Sequence, residues 1–147
     1  MKRQEAKDVI YGHATAAWNA AVAGLGIVGA EARYKDDGLE EPNQGVYWTR
    51  MSTQTVDEQQ ETLRNALFVR RFVTVGLIFV QIFAPRTDND AQANIDILSE
   101  ALRDAFRDPR VDNNLEFTQA AIDDSVSPEP DWLPVTVTAR FWYRQFM

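Results

Sequence analysis

The feature that most constrains this chain is a largely apolar run over residues 72–83, followed directly by Ala84 and Pro85. β-branched and aromatic residues dominate the run, so it predicts a β-strand. Antiparallel and mixed sheets commonly turn one polar face to water, but both faces of this strand are apolar. Each face therefore needs a cover, and we expect another subunit to supply part of it. The two faces are Val73, Val75, Leu77, Phe79 and Phe83, and Phe72, Ile78, Val80 and Ile82.

Composition indicates one globular domain spanning residues 1–147. Hydrophobic residues make up 45% of the chain and charged residues 25%, which is ordinary for a folded protein. The formal net charge of −7 disfavours nucleic-acid binding as the main task, because such binding rests on lysine and arginine neutralising phosphates. The absence of cysteine excludes a disulfide, a thiolate nucleophile and a cysteine-based zinc site.

The beginning of the chain predicts a protein without a secretory leader. Met1, Lys2 and Arg3 lead into a mixed charged and apolar pattern instead of an apolar core segment. The 72–83 run is shorter than the roughly 20 apolar residues that a membrane-spanning helix requires. We expect a soluble protein with no membrane partner.

Two segments carry the three- and four-residue apolar spacing that predicts amphipathic helices. The first covers residues 3–22 and ends at Gly24 and Gly26, since glycine accepts the left-handed backbone that closes helices. Its stripe comprises Ala6, Ile10, Ala14, Ala17, Ala21 and Leu25, widened by Val9, Trp18 and Val22. The second begins near Asp90, where Thr87 and Asp90 have the spacing of a capping box, and stops at Pro109. Its stripe comprises Ala91, Ile95, Leu98, Leu102 and Phe106.

Five segments predict strands from alternation or β-propensity. We expect the longest to bend or bulge near Gly76, since it exceeds the usual strand length. Residues 57–65 are compatible with a strand tip, a short helix or a loop. The resulting fold class is α+β, a mostly antiparallel twisted sheet of about five strands with two helices packed on it. The five segments cover residues 27–34, 46–55, 66–83, 115–122 and 135–144.

No residue pattern points to catalysis, a metal or a cofactor. His13 is the only histidine, and we interpret it as a surface or packing residue. The glycines of residues 24–29 follow a helix and precede a strand, the reverse of a dinucleotide-binding turn. Three acidic groups in predicted loops leave a small carboxylate enzyme as a remote alternative. They are Asp36, Asp37, Glu40 and Glu41; Asp57, Glu58 and Glu61; and Asp123, Asp124, Glu129 and Asp131.

Arginine and tryptophan side chains on the predicted strands form a candidate interface. Arg140 and Arg144 flank Trp142 on the polar face of the last strand, and Arg70 and Arg71 open the long one. Arginine and aromatic residues are enriched where proteins meet. The alternative is a solvated face with cross-strand pairs. The candidate interface set is Arg50, Arg70, Arg71, Arg140, Trp142 and Arg144.

The layout of the whole chain resembles the tail terminator, or tail-completion, proteins of long-tailed bacteriophages. A first helix ends in glycine and leads into a short strand, and a loop with Pro42 precedes the strand of residues 46–51. The long apolar strand ends in Phe83-Ala84-Pro85 and a helix follows at once. The chain closes with residues 132–137 and the aromatic Phe141-Trp142-Tyr143.

The resemblance implies a structural virion protein, not an enzyme, at the tail–neck junction. It would be made in the bacterial host cytoplasm and form a homohexamer ring that terminates the tail tube. Its partners would be itself, the tail tube protein and a neck or head-completion protein, with DNA passing through the lumen without specific binding. Acidic loops at such a pore would repel the DNA. The alternatives are another phage neck or tail component, such as a head-closure or adaptor protein, and a cellular binding module.

Overall fold

A computed structural model describes residues 1–35, 42, 45–60, 70–108, 110–125 and 129–146. Apolar periodicity divides these residues into helices and strands much as the sequence predicts. The elements in chain order are helix α1 (Arg3–Gly24), strands β1 (Glu31–Tyr34), β2 (Trp48–Gln60) and β3 (Arg71–Pro85), helix α2 (Ala91–Ala105), and strands β4 (Arg110–Asp112), β5 (Leu115–Asp123) and β6 (Trp132–Phe146).

The strands form one six-stranded mixed sheet in the order β1-β2-β3-β6-β5-β4. The α+β class is confirmed, but the expectation of about five mostly antiparallel strands is wrong in two respects. β1 pairs with β2 in parallel, whereas every other neighbouring pair is antiparallel. Residues 35–47 separate β1 from β2, a connection long enough for the crossover that parallel neighbours require. The three-residue β4 is too short to leave an alternation pattern.

Both helices pack on the same side of the sheet, where they and the strands share one core. The predicted α2 stripe is confirmed, since all five of its side chains are buried. In α1 the buried positions recur every four residues, so Trp18 and Val22 replace Ala17 and Ala21 in the predicted stripe. The sheet contributes the residues of β3, β5 and β6 that point toward the helices, among them Ile78, Val80, Ile82, Leu115, Phe117, Val137, Ala139, Phe141 and Tyr143.

Gly76 makes room for an aromatic ring and does not bend its own strand. β3 keeps continuous register with β6, and the bulge lies opposite, on β2 between Thr55 and Asp57. A Cβ atom at Gly76 would come within 3.0 Å of the Phe141 ring and of the Gln54 carbonyl oxygen. The expected bulge therefore occurs beside Gly76 but on the neighbouring strand β2. Gly76 itself allows the adjacent strands to pack closely against it.

Two expectations about loops change. Asp57 and Glu58 belong to β2, which runs to Gln60, and Asp123 ends β5, so the acidic groups are not confined to loops. Residues 36–41, 61–69 and 126–128 lie outside the described residues, and with them several of the acids. Within the described part of the chain, no helix combines the length and apolarity needed to cross a membrane.

Candidate assembly surface

The sheet has a second side, which we call the open face, over which no described helix lies. Residues of neighbouring strands that pair in register point to the same side, and alternate residues point to opposite sides. Val75, for example, pairs with Asp57 on β2 and with Trp142 on β6. The open face comprises Trp48, Arg50, Ser52, Gln54, Asp57 and Gln59 of β2; Arg71, Val73, Val75, Leu77, Phe79, Gln81, Phe83 and Pro85 of β3; Trp132, Pro134, Thr136, Thr138, Arg140, Trp142, Arg144 and Phe146 of β6; and Glu116, Thr118, Ala121 and Asp123 of β5.

An apolar stripe runs along β3 in the middle of the open face. Its members, Val73, Val75, Leu77 and Phe79, are half-buried, although no described helix covers them. Their neighbours toward the helices, Ile78 and Val80, are at most 1% exposed. The described helices thus leave the stripe uncovered, and it stands among the other side chains of the same face of the sheet. Apolar area left in this state favours further burial, at about 25 cal/mol per Å².

Five of the six predicted interface residues lie on the open face, in two groups. Arg71, Arg140, Trp142 and Arg144 surround one end of the apolar stripe, where Arg140 pairs in register with Leu77. Arg50 pairs with Gln81, roughly 30 Å from Arg71 at strand spacing. The sixth residue, Arg70, is exposed just before β3 begins. The structure therefore divides the predicted interface set between two sites on one side of the sheet.

At the first site, arginine and tryptophan side chains stack. The Arg144 guanidinium carbon lies 4.5 Å from the centroid of the Trp142 ring, within cation–π distance. Trp142 is half-buried between its register partners Val75 and Glu116. Arg140 is exposed and has no ion pair within the described residues. The stack thus places arginine and tryptophan, the residue types enriched among the main contributors to binding at protein interfaces, side by side on the open face.

At the second site, Arg50 lies over a buried aromatic cluster. Trp48 stacks on Phe83 with ring centroids 4.2 Å apart, and Trp132 meets Trp48 edge-on at 5.7 Å. The Arg50 guanidinium lies 6.0 and 5.9 Å from the first two rings and donates two hydrogen bonds to the Gln81 amide oxygen. The Trp48 and Phe83 rings and the Gln81 amide thus fix the position of this cation.

Beside Arg50 the open face contains a depression of about 310 Å³. Its lining mixes two cations with neutral polar groups and one aromatic ring, and the Arg50 guanidinium already faces a neutral amide instead of a carboxylate. The depression is suited to an acidic side chain more than to an apolar one. Its lining residues are Lys35, Arg50, Ser52, Phe79, Gln81 and Thr136.

Charge on the described open face runs opposite to that of the chain. Arg33 and Glu31 of β1 lie on this side through their pairing with Arg50 and Trp48, and they form an ion pair with each other. With them, cations outnumber carboxylates on this face, although the whole chain carries −7. The cations are Arg33, Lys35, Arg50, Arg71, Arg140 and Arg144, and the acids are Glu31, Asp57, Glu116 and Asp123.

Sequence analysis missed the aromatic cluster and Lys35. Trp48 and Trp132 stand far apart in the chain, and only the pairing of β2, β3 and β6 brings them to Phe83. The available signal was weak, because Trp48 and Phe83 lie in predicted strands but Trp132 precedes the predicted last strand. Lys35 follows β1 directly, and its role depends on the parallel pairing that the sequence did not reveal.

Two of the residues considered for chemistry, His13 and Asp123, have structural partners. His13 Nε2 lies 2.7 Å from the Ala105 carbonyl oxygen, and its ring packs on Phe106 and Phe117. The packing interpretation of His13 is therefore confirmed. Asp123 accepts hydrogen bonds from Ser125, which lower the pKa of its carboxyl group. No group of three or more acidic, histidine or cysteine side chains within the described ranges is placed to hold a metal ion.

A small polar network links β2 to the start of α2 on the helix side. Tyr47 donates a 2.7 Å hydrogen bond to Asp88 Oδ2 and accepts one of 3.0 Å from Asn94. Burial raises the pKa of Tyr47 to about 12, and the hydrogen bond from Tyr47 lowers the pKa of Asp88. Asp90 is the N-cap of α2 but makes no side-chain capping bond, so the expected capping box is absent. The network holds the start of β2 against the start of α2, which is a structural role.

Comparison with known proteins adds no identification. No protein-family model matches the chain, and no curated protein matches it significantly.

Proposed function

We propose that this chain is a structural assembly protein that works by self-association through its open face. The observation that carries the proposal is the apolar stripe of β3, which lies between arginine and tryptophan side chains on a side of the sheet without a described helix. On the other side of the same strand, where the helices pack, Ile78 and Val80 are fully buried. A second copy would give the stripe the same kind of cover.

The size of the open face supports a stable contact. Its long strands have up to 15 residues, and four of them stand side by side. At about 3.3 Å per residue and 4.8 Å per strand, this is on the order of 800 Å². Stable protein–protein interfaces bury roughly that area on each partner.

Within this class, the specific role we propose is that of a phage tail terminator. Such a protein is a ring, expected to be a hexamer, that closes the tail tube and joins it to the neck while DNA passes through. Two observations support it: the chain-long resemblance in layout, and the acidity of the whole chain, which suits a passage that DNA must not adhere to. Another neck component, such as a head-closure protein, is the alternative position.

Sedimentation velocity and native mass spectrometry of the purified chain test self-association. The wild type is expected to assemble into one closed species as concentration rises. A variant with Arg140→Ala and Trp142→Ala should remain monomeric, because it removes an exposed cation and the stacked ring. Val28→Ala, at a residue 95% exposed outside the sheet, is the matched control and should assemble normally.

Electron microscopy with tail tubes from the same genome tests the virion role. The expected image is a ring at one end of the tube. A ring that binds only the head or neck would favour the head-closure alternative. A chain that stays monomeric near millimolar concentration and also in the presence of tubes contradicts self-association and the terminator role together.

A further inference from the structure

The outer surface of α2 carries a second unusual feature, which we call the α2 ridge. Four exposed side chains at helical spacing form it: Ala93, Asp96, Ile97 and Glu100. Ile97 is 48% exposed, and it is the one large apolar residue that the helix turns to solvent. Asp96 lies beside Ile97 on the same turn, and Glu100 lies on the next turn.

The two ridge acids are not neutralised within the described part of the chain. Asp96 accepts a hydrogen bond from the Gln92 amide at 3.2 Å, and Glu100 forms no ion pair there. Like charges four residues apart destabilise a helix by about 0.2–0.5 kcal/mol. The nearby Asp104, in contrast, lies 3.2 Å from Arg103 and 3.5 Å from Arg107. The exposed isoleucine and these two acids, which form no ion pair within the described residues, are thus a surface that a cation-rich apolar partner would stabilise.

From the charges and exposed apolar side chains of these two surfaces, we infer that the partner of the open face is the α2 ridge of a second copy. The copies would then be joined head to tail. The inference rests on the proposed self-association and specifies its second surface. Ile97 matches the apolar stripe of Val75, Leu77 and Phe79, and the ridge acids match the arginines beside that stripe, Arg140 and Arg144.

The arrangement of the two surfaces sets the kind of assembly. The open face lies on one side of the sheet, and α2 packs on the other side, with its ridge turned away from the sheet. A contact between two different surfaces is heterologous, so each copy offers one of each to its neighbours. Such contacts generate rings when the rotation per subunit closes, and filaments when it does not. Contact of one open face with another would instead stop at a dimer.

Charge reversal separates the two arrangements. The face variant carries Arg140→Glu and Arg144→Glu, and the ridge variant carries Asp96→Lys and Glu100→Lys. Each is expected to associate about 100-fold more weakly than the wild type, because like charges then meet across the contact. A chain with all four changes should assemble again, since both partners have exchanged sign. Asp8→Lys with Glu58→Lys is the control, with the same charge change as the ridge variant at exposed positions off both surfaces.

Sedimentation velocity decides each outcome, and circular dichroism checks folding. If the ridge variant assembles like the wild type, or if the fourfold variant remains dissociated, the head-to-tail contact is refuted while self-association stands. If the wild type itself never assembles, or the face variant assembles normally, the proposed function fails as well. If a reversed variant does not fold, the pairs Arg140→Gln with Arg144→Gln and Asp96→Asn with Glu100→Gln replace it. About tenfold weaker association for both pairs then supports the contact, and no change for the second pair refutes it.

Discussion

The roles of single residues in this protein depend on the groups that they contact on other strands and helices. Gly76 is the clearest case, because its lack of a side chain admits the Phe141 ring and the Gln54 carbonyl at close range. Tyr47 is another, since its hydroxyl joins Asp88 and Asn94 where β2 meets the start of α2. Neither role is visible from the residues next to them in the chain. Both give predictions about stability that do not depend on assembly.

Gly76→Ala should lower the free energy of unfolding by about 1–3 kcal/mol, the usual cost of forcing atoms into a packed site. The Phe141 ring can shift, but the Gln54 carbonyl belongs to a paired strand and cannot move independently. Gly12→Ala is the matched control, because a Cβ there meets nothing within 4 Å. It should raise stability by about 0.5–1 kcal/mol, as alanine favours helix. Urea unfolding measures both, and a neutral effect of Gly76→Ala would refute the packing role.

Tyr47 should make stability fall at high pH. Its pKa is about 12 in the folded chain and about 10 when unfolded, so the folded state holds the proton more tightly. The contribution of Tyr47 is fully present below about pH 10 and is lost as pH rises toward 12. In Tyr47→Phe the fall in unfolding free energy over this range should be smaller. Absorbance titration of the folded chain should also show one fewer tyrosine ionising near pH 12, and equal titrations would contradict the assignment.

Among the elements, β3 shows how one strand can serve two surfaces. Its residues alternate between a side covered by both helices and the open face, and both sets are apolar. On the helix side Ile78, Val80 and Ile82 are fully buried, whereas the apolar stripe of Val73, Val75, Leu77 and Phe79 on the open face is half-buried. The same substitution at neighbouring positions should therefore have different consequences.

Ile78→Thr should cost about 2–5 kcal/mol of stability, because it opens a void and buries a hydroxyl under the helices. Leu77→Thr should cost about 1 kcal/mol or less, since threonine suits strands and the site is partly open to water. Leu77→Thr should instead weaken self-association. Urea unfolding at low concentration measures the first effect and sedimentation the second. Equal stability losses at both positions would mean that the open face is covered within the chain.

At the scale of the whole molecule, charge is distributed unevenly between its two sides. The described open face is rich in cations, while the α2 ridge and the chain as a whole are acidic. Opposite charges on two separate surfaces favour head-to-tail contacts, in which one surface of each copy meets the other surface of the next. It also makes those contacts sensitive to ionic strength.

Raising the salt concentration from about 0.05 to 0.5 M should weaken self-association, since the Debye length shrinks below the spacing of exposed charges. The apolar stripe should keep some association in high salt, because burial of apolar area is not screened. Sedimentation equilibrium across this range gives the dissociation constants. Association that strengthens steadily with salt would show that like-charged surfaces meet, which contradicts the head-to-tail contact.

The sequence by itself determined the features that depend on local periodicity. The α2 stripe, the two apolar faces of β3 and the alternation of β6 all follow from which residues share a face of a helix or strand. These patterns also placed Arg140, Trp142 and Arg144 together, because they stand two residues apart on one strand. The two-sided apolarity of β3 was enough to predict apolar side chains on both sides of the sheet.

Only the tertiary structure decided which surfaces come together. The parallel pairing of β1 with β2, the aromatic cluster of Trp48, Phe83 and Trp132, and the placing of both helices on one side all join residues distant in the chain. No local pattern encodes such contacts, because they depend on strand order and register. The separation of Arg50 from Arg140 also depends on register. Both residues belong to the predicted interface set, but the sheet places them at two different sites. Periodicity fixes how each element faces its neighbours, and the packing of the whole sheet decides which neighbours those are.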